Sequence, residues 1–90
     1  MYLHLGASVV INQSDILGIF DLDNTTASRI TRDYLARAER EGRVVSIGED
    51  LPKSFLLCRD RAGGNTIYLS QLSPATLSRR LESGGGLELL

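Results

Sequence analysis

Two short segments, Ile16-Leu17-Gly18-Ile19-Phe20 and Phe55-Leu56-Leu57-Cys58, are apolar on successive residues. Strand side chains alternate between the two faces of a sheet, so a strand with one wet face is apolar only at every second position. A strand that is apolar throughout is buried on both faces. The chain has 90 residues, enough for one domain with a modest core. Something must therefore cover a small sheet from two sides.

The rest of the pattern sets what that cover can be. Turn-forming clusters at Gly6-Ala7, Asn12 to Asp15, Asp23 to Thr26, Gly48 to Pro52 and Arg61 to Asn65 divide the chain. Between them, segments rich in Val, Ile, Phe and Tyr predict strands at Tyr2–Leu5, Ser8–Asn12, Ile16–Leu22, Val44–Ile47, Ser54–Arg59 and Thr66–Leu69. The last two are joined by Arg61-Ala62-Gly63-Gly64-Asn65, whose Gly and Asn tolerate positive φ and suit a hairpin turn. One long helix is predicted from about Thr26 to Glu41, capped by Thr25 or Thr26 and ended by Gly42. At 100° per residue, Ala27, Ile30, Tyr34, Leu35 and Ala38 share one side of it. A shorter helix starts at Ser73-Pro74, with Leu77 and Leu81 as its apolar pair, and runs to about Glu82.

The fold expected is α+β: a small, mostly antiparallel sheet of about six short strands, one long central helix and a short C-terminal helix. Residues 1–82 form the single domain, and 83–90, beginning Ser83-Gly84-Gly85-Gly86, form a flexible tail. A helix of about 16 residues covers one face of such a sheet and hardly two. Another copy of the chain would supply the second cover, so self-association is expected. The alternative is a compact monomeric sandwich with a two-sided core of its own.

Little in the sequence supports catalysis. His4, the single histidine, lies on a strand beside Tyr2 and reads as a structural residue. Asp21 and Asp23 precede a helix and read as turn and cap formers, and Gly63-Gly64 lacks the remaining glycines and the following helix of a phosphate-cradling loop. Cys58 is the only cysteine, which excludes a disulfide framework and a cysteine-based zinc site within one chain. No catalytic residue, metal or cofactor is expected. No apolar run approaches a membrane span of roughly 18 residues, and the start lacks a secretory pattern, so a reduced cytoplasmic protein is expected.

Charge is more informative than its total. Ten basic and eleven acidic side chains sum to -1, without the global basic character usual in nucleic-acid binders. Nine of the ten basic residues, however, are Arg, whose planar fork suits phosphate. Arg29, Arg32, Arg40 and Arg43 fall within an arc of about 80° opposite the apolar helix face, along about 20 Å. Such a stripe could follow a phosphate backbone. Equally, Asp33 with Arg37 and Glu39 with Arg43 are i,i+4 pairs that would neutralise it into a solvated surface. Lys53 follows the rigid Pro52 at a strand entry, Arg59 and Arg61 flank the hairpin tip, and Arg79-Arg80 end the closing helix.

Several colinear segments carry a resemblance: Met1-Tyr2-Leu3-His4-Leu5-Gly6, Asp15-Ile16-Leu17-Gly18-Ile19-Phe20-Asp21, Pro52-Lys53-Ser54-Phe55, and Ile67-Tyr68-Leu69-Ser70-Gln71-Leu72-Ser73-Pro74-Ala75-Thr76-Leu77. Together they resemble the RemA/RemB family of bacterial regulators of extracellular matrix genes, over about residues 1 to 81, and the RemB branch more closely. The resemblance implies a DNA-binding transcriptional regulator of biofilm matrix genes that assembles into ring-like homo-oligomers and bends DNA against basic residues on the outside of the ring. Together with the arginine geometry, it points to Lys53 and Arg32 first for phosphate contact, with Arg29, Arg59 and Arg61 next. The turn where RemA carries neighbouring arginines reads Gly48-Glu49-Asp50-Leu51-Pro52-Lys53 here, and its acids would repel a phosphate. The expected partners are therefore the chain itself and double-stranded DNA. The alternative reading is a non-enzymatic oligomeric scaffold or protein-interaction module that has lost DNA binding.

Overall fold

The six predicted strands all form, but they divide between two sheets. In the computed structural model, residues 2–6, 9–22 and 29–82 are described. The order is β1 (Tyr2–Gly6), β2 (Val9–Asn12), a 3-10 turn at Gln13–Asp15, β3 (Ile16–Asp21), α1 (Arg29–Arg40), β4 (Val44–Ser46), β5 (Ser54–Arg59), β6 (Asn65–Ser70) and α2 (Pro74–Glu82). β1 and β2 pair antiparallel as a separate hairpin, and the other four make a sheet in the order β3-β5-β6-β4. The β3–β5 and β5–β6 pairs are antiparallel, and β4–β6 is parallel.

Local chemistry explains the element ends. α1 closes in a Schellman arrangement: the Gly42 N–H reaches the Glu39 carbonyl at 3.0 Å and the Arg43 N–H reaches Ala38 at 2.9 Å. That geometry puts Gly42 at φ 74, which glycine adopts without a Cβ penalty. The caps expected at Thr25 or Thr26, with Ala27, lie outside the described residues, and α1 spans 12 residues as described. At α2 the Ser73 hydroxyl accepts the Thr76 N–H at 3.1 Å, and Pro74 takes the first helical position. In the β5–β6 turn one Asp60 carboxylate oxygen accepts from the Ala62 and Gly64 amides at 2.8 and 3.0 Å.

Both faces of the four-stranded sheet are covered from within the chain. On one side α1 lays Tyr34, Leu35 and Ala38 against Phe55, Leu57, Ile67 and Leu69. On the other, the β1–β2 hairpin and α2 bring Leu3, Leu5 and Leu77 onto Leu56, Cys58 and Ile47. The apolar run of β5 is thus divided, Phe55 and Leu57 to the helix α1 and Leu56 and Cys58 to the hairpin and α2. This corrects the expectation that a second copy is needed to cover β5. The N-terminal hairpin, expected within one six-stranded sheet, forms a layer of its own.

β3 has a different explanation for its apolar run. It is an edge strand, and a bulge between Ile16 and Gly18 shifts the register against β5. The bulge puts Ile16 and Ile19, three residues apart, on the same face against the hairpin and α2. Phe20 turns to the α1 side and stacks on Phe55 with ring centroids 4.7 Å apart. A Cβ at Gly18 would sit 2.8 Å from the Phe20 ring, so the glycine makes room for that stack. Leu17 and Phe20 remain 53% and 39% exposed. Ile30 departs from its predicted place on the buried helix face and is 82% exposed.

Two serines tie the turn after β6 to the sheet. Ser54 and Ser70 are fully buried cross-strand partners. The Ser54 hydroxyl donates to the Leu72 carbonyl at 2.7 Å, and the Ser70 oxygen accepts the Leu72 N–H at 3.0 Å. Both backbone polar groups of Leu72 are thus satisfied, which orients the chain as it enters α2.

Candidate nucleic-acid interface

The strand directions sort the basic residues into two ends. β3 and β4 point the same way, since each is related through β5 and β6 by the pairings above. α1 connects the finish of β3 to the start of β4, so it runs back along the sheet. Its first turn, with Arg29 and Arg32, lies at the end where β5 begins. A groove lined by Leu22, Arg32 and Pro52 joins helix and turn there.

Lys53 is held at that end by its backbone. Its N–H donates to the Ser70 carbonyl at 2.8 Å, and its carbonyl accepts the Leu22 N–H at 3.0 Å. The side chain is exposed. Lys53, Arg32 and Arg29 therefore share one end of the molecule. Arg29 faces Asp33 at 4.0 Å, with both side chains exposed, a contact worth little in water. Among the described residues, no carboxylate lies within ion-pair distance of Arg32 or Lys53. Glu49 and Asp50, exposed in the adjoining turn, supply negative charge beside them.

Arg59 and Arg61 are elsewhere. Arg59 ends β5, six residues beyond Lys53, which at the rise of a strand is about 20 Å away, and Arg61 lies in the turn after it. Arg59 is exposed and donates from Nη2 to the Ser14 carbonyl at 3.2 Å. The five candidate residues do not form one surface.

The arginine stripe on α1 is also broken. Arg43 folds back at the helix end, where Nε meets Glu41 at 2.8 Å, Nη1 reaches the Asn65 carbonyl at 3.3 Å, and the guanidinium lies 5.8 Å from the Tyr34 ring centre. It closes the helix end instead of facing solvent. Its acidic partner is Glu41, not the expected Glu39, and the partner of Asp33 is Arg29, not Arg37. Of the last pair, Arg80 donates to the His4 carbonyl at 3.0 Å and ties α2 to β1.

One concave site was not legible in the sequence. The hairpin leaves a cleft of about 380 Å³ against the β5–β6 arm, where Tyr2, Asn12 and Asp15 face Arg59, Arg61 and Tyr68. Burial pushes the Cys58 thiol on its wall up to about 11, and nearby Asp15 adds to the shift. Burial also pushes the Tyr68 phenol up, with the charges of Cys58, Asp15 and Asp60 contributing. Residues some 45 positions apart meet here, and no local spacing announces it. Among the described residues, no group of three or more His, Cys, Asp or Glu converges as a metal site, and no helix is long and apolar enough to cross a membrane.

The chain is 34% identical over 82 residues to Extracellular matrix regulatory protein B of Bacillus subtilis (strain 168), covering 91% of each chain. The model of a family described as RemA-like, "Extracellular matrix regulatory protein A-like", matches residues 2–81. That match runs from the first residue of β1 to the last turn of α2, both layers of cover included, and the chain belongs to the RemA-like family.

Proposed function

We propose that this protein is a DNA-binding regulator of extracellular-matrix genes, acting in the bacterial cytoplasm as a ring-like homo-oligomer that grips the phosphate backbone. The regulatory part of this reading rests on the family and on the similarity to Extracellular matrix regulatory protein B. The observation that carries the DNA part is the grouping of Arg29, Arg32 and Lys53 at one end, with Arg32 and Lys53 unpaired by carboxylates among the described residues. A cation already paired gains less from a phosphate, so Arg32 and Lys53 contribute most and Arg29 less. Arg59 and Arg61 fall outside this surface.

Self-association has a physical basis in β3. Among the described residues β3 has a strand partner on one side only, and it exposes Leu17 and Phe20 beside the open edge. An exposed apolar edge is a template for another chain. Repetition around a ring then multiplies a small basic surface into an extended track, which offsets a chain charge of -1 and the acids at Glu49 and Asp50.

The test is an electrophoretic shift series with double-stranded DNA, comparing wild type with the Lys53→Ala/Arg32→Ala double variant. Binding at about 50 mM salt should weaken steeply as salt rises. The double variant should flatten the log–log salt slope by roughly 1.8 per protomer in contact, two phosphates at about 0.9 each. Absence of any shift at micromolar protein in low salt refutes the DNA reading.

A second reading, an oligomeric protein-interaction module, is favoured by a different observation. Leu51 is 88% exposed beside Pro52, which lines an apolar groove of about 330 Å³ with Leu22, Leu35, Val44 and Leu69. Exposed apolar surface of this kind serves protein contacts better than phosphate.

A further inference from the structure

The cleft between the hairpin and the β5–β6 arm holds groups that the DNA reading leaves unused. Its volume, about 380 Å³, is within the range of small-ligand sites. Four charged residues line it, but they are not equivalent. Asp60 has one carboxylate oxygen occupied by two turn amides, which commits it to the hairpin. Among the described residues Asp15 has no such bond, and it lines the cleft. Arg59 spends one N–H on the Ser14 carbonyl, which steadies the guanidinium and leaves its remaining donors available. Arg61 is exposed beside it in the turn.

The neutral groups complete the set. Asn12 uses its side-chain oxygen to accept from both the Ser14 amide and hydroxyl, at 3.0 and 2.9 Å, which leaves its NH2 as a donor. Tyr2 is 52% exposed on the cleft wall and Tyr68 half-buried, so aromatic surface is available to a flat ring. Guanidinium forks suit a phosphate, tyrosines suit the face of a nucleobase, and an uncommitted carboxylate needs N–H donors. A single carboxylate is best satisfied in bidentate fashion by two adjacent N–H groups. Among the common bases guanine presents such a pair, N1–H beside its 2-amino group, whereas adenine offers its 6-amino group alone.

We propose that this cleft binds a guanine mononucleotide, with Asp15 reading the base edge, Tyr2 and Tyr68 flanking the ring, and Arg59 and Arg61 holding the phosphate. The site is about a strand's length from Arg32 and Lys53, so it stands or falls independently of DNA binding.

Isothermal titration of the full chain with guanosine 5′-monophosphate, adenosine 5′-monophosphate, cytidine 5′-monophosphate and inorganic phosphate tests it. The guanine nucleotide should bind saturably, one per chain, with the other three at least about tenfold weaker, as expected of a bidentate base contact. Asp15→Asn should cost the guanine nucleotide about tenfold and leave the adenine nucleotide unchanged, while Arg61→Ala should weaken every nucleotide. Asp15→Asn and Arg61→Ala are both at solvent-accessible positions, and their thermal melts, checked first, should match wild type. If either variant melts early, Tyr2→Ala at the rim takes its place, with loss of nucleotide affinity expected. No binding of the guanine nucleotide at about 5 mM, weaker than any affinity a built site would show, overturns the proposal. So does equal binding of all four probes, or an unchanged guanine affinity in Asp15→Asn. The DNA shift should be unaltered by Asp15→Asn, which separates failure here from failure of the DNA reading.

Discussion

Leu77→Ala tests whether the second cover of the sheet belongs to the same chain. Leu77 is fully buried and is the residue through which α2 enters the core shared with Leu3, Leu5, Leu56 and Cys58. Truncation removes its transfer free energy and leaves a cavity that a short helix tied down by Ser73, Pro74 and Arg80 can only partly collapse. Buried Leu→Ala changes of this kind cost roughly 2.7–5.0 kcal/mol. A chain of 90 residues has about 5–13 kcal/mol of stability in all, so the variant loses about a fifth of it or more. With a urea slope of about 1–1.5 kcal/mol per molar for a chain this small, a loss of about 3 kcal/mol lowers the unfolding midpoint by about 2–3 M. The assay is urea unfolding followed by far-ultraviolet circular dichroism at several protein concentrations. The difference between wild type and variant should be the same at each concentration. A loss below about 1 kcal/mol, or one that vanishes as protein concentration rises, would show that a neighbouring copy covers this face and would refute the layer assignment.

Two further outcomes follow from particular side chains. Leu17→Lys, at an exposed bulge on the β3 edge, should leave monomer stability within about 0.5 kcal/mol but reduce the mass measured by light scattering; an unchanged mass would remove β3 from the self-association surface. The Cys58 thiol has a folded pKa of about 11 against an ordinary value of 9.0, so between those values the unfolded chain has released a proton that the folded chain retains. Stability should therefore hold up to about pH 9 and decline toward pH 11, with Tyr68 shifted in the same direction. Under reducing conditions Cys58→Ala should flatten that decline, and an equally steep alkaline loss in the variant would assign it to other groups.

Local signals carried much of the fold. The cap at Ser73, the proline after it and the glycine at 42 mark helix ends because capping acts over three or four residues, and the structure places each where the sequence predicts. β5 is predicted and observed over the same residues, Ser54–Arg59, since alternation and turn chemistry are likewise local. The failures are of another kind. Ile30 obeys the helical period yet is exposed, because the period gives a direction around the helix and not what lies opposite it. The apolar run of β3 looked like two-sided burial and is instead an edge strand whose side-chain parity a bulge has shifted.

The same division runs through the function. The sequence by itself determined which residues are basic, which strands and helices form, and the colinear segments that mark the RemA-like family. Only the tertiary structure decided that Arg29 and Arg32 join Lys53, that Arg59 and Arg61 lie about a strand's length away, and that Arg43 is folded back on Glu41 and Tyr34. The physical reason is range. Periodicity and capping are interactions between near neighbours in the chain, whereas the end of the sheet a charge occupies depends on strand order and direction. Those are settled by burying β5 between α1 on one face and the hairpin with α2 on the other.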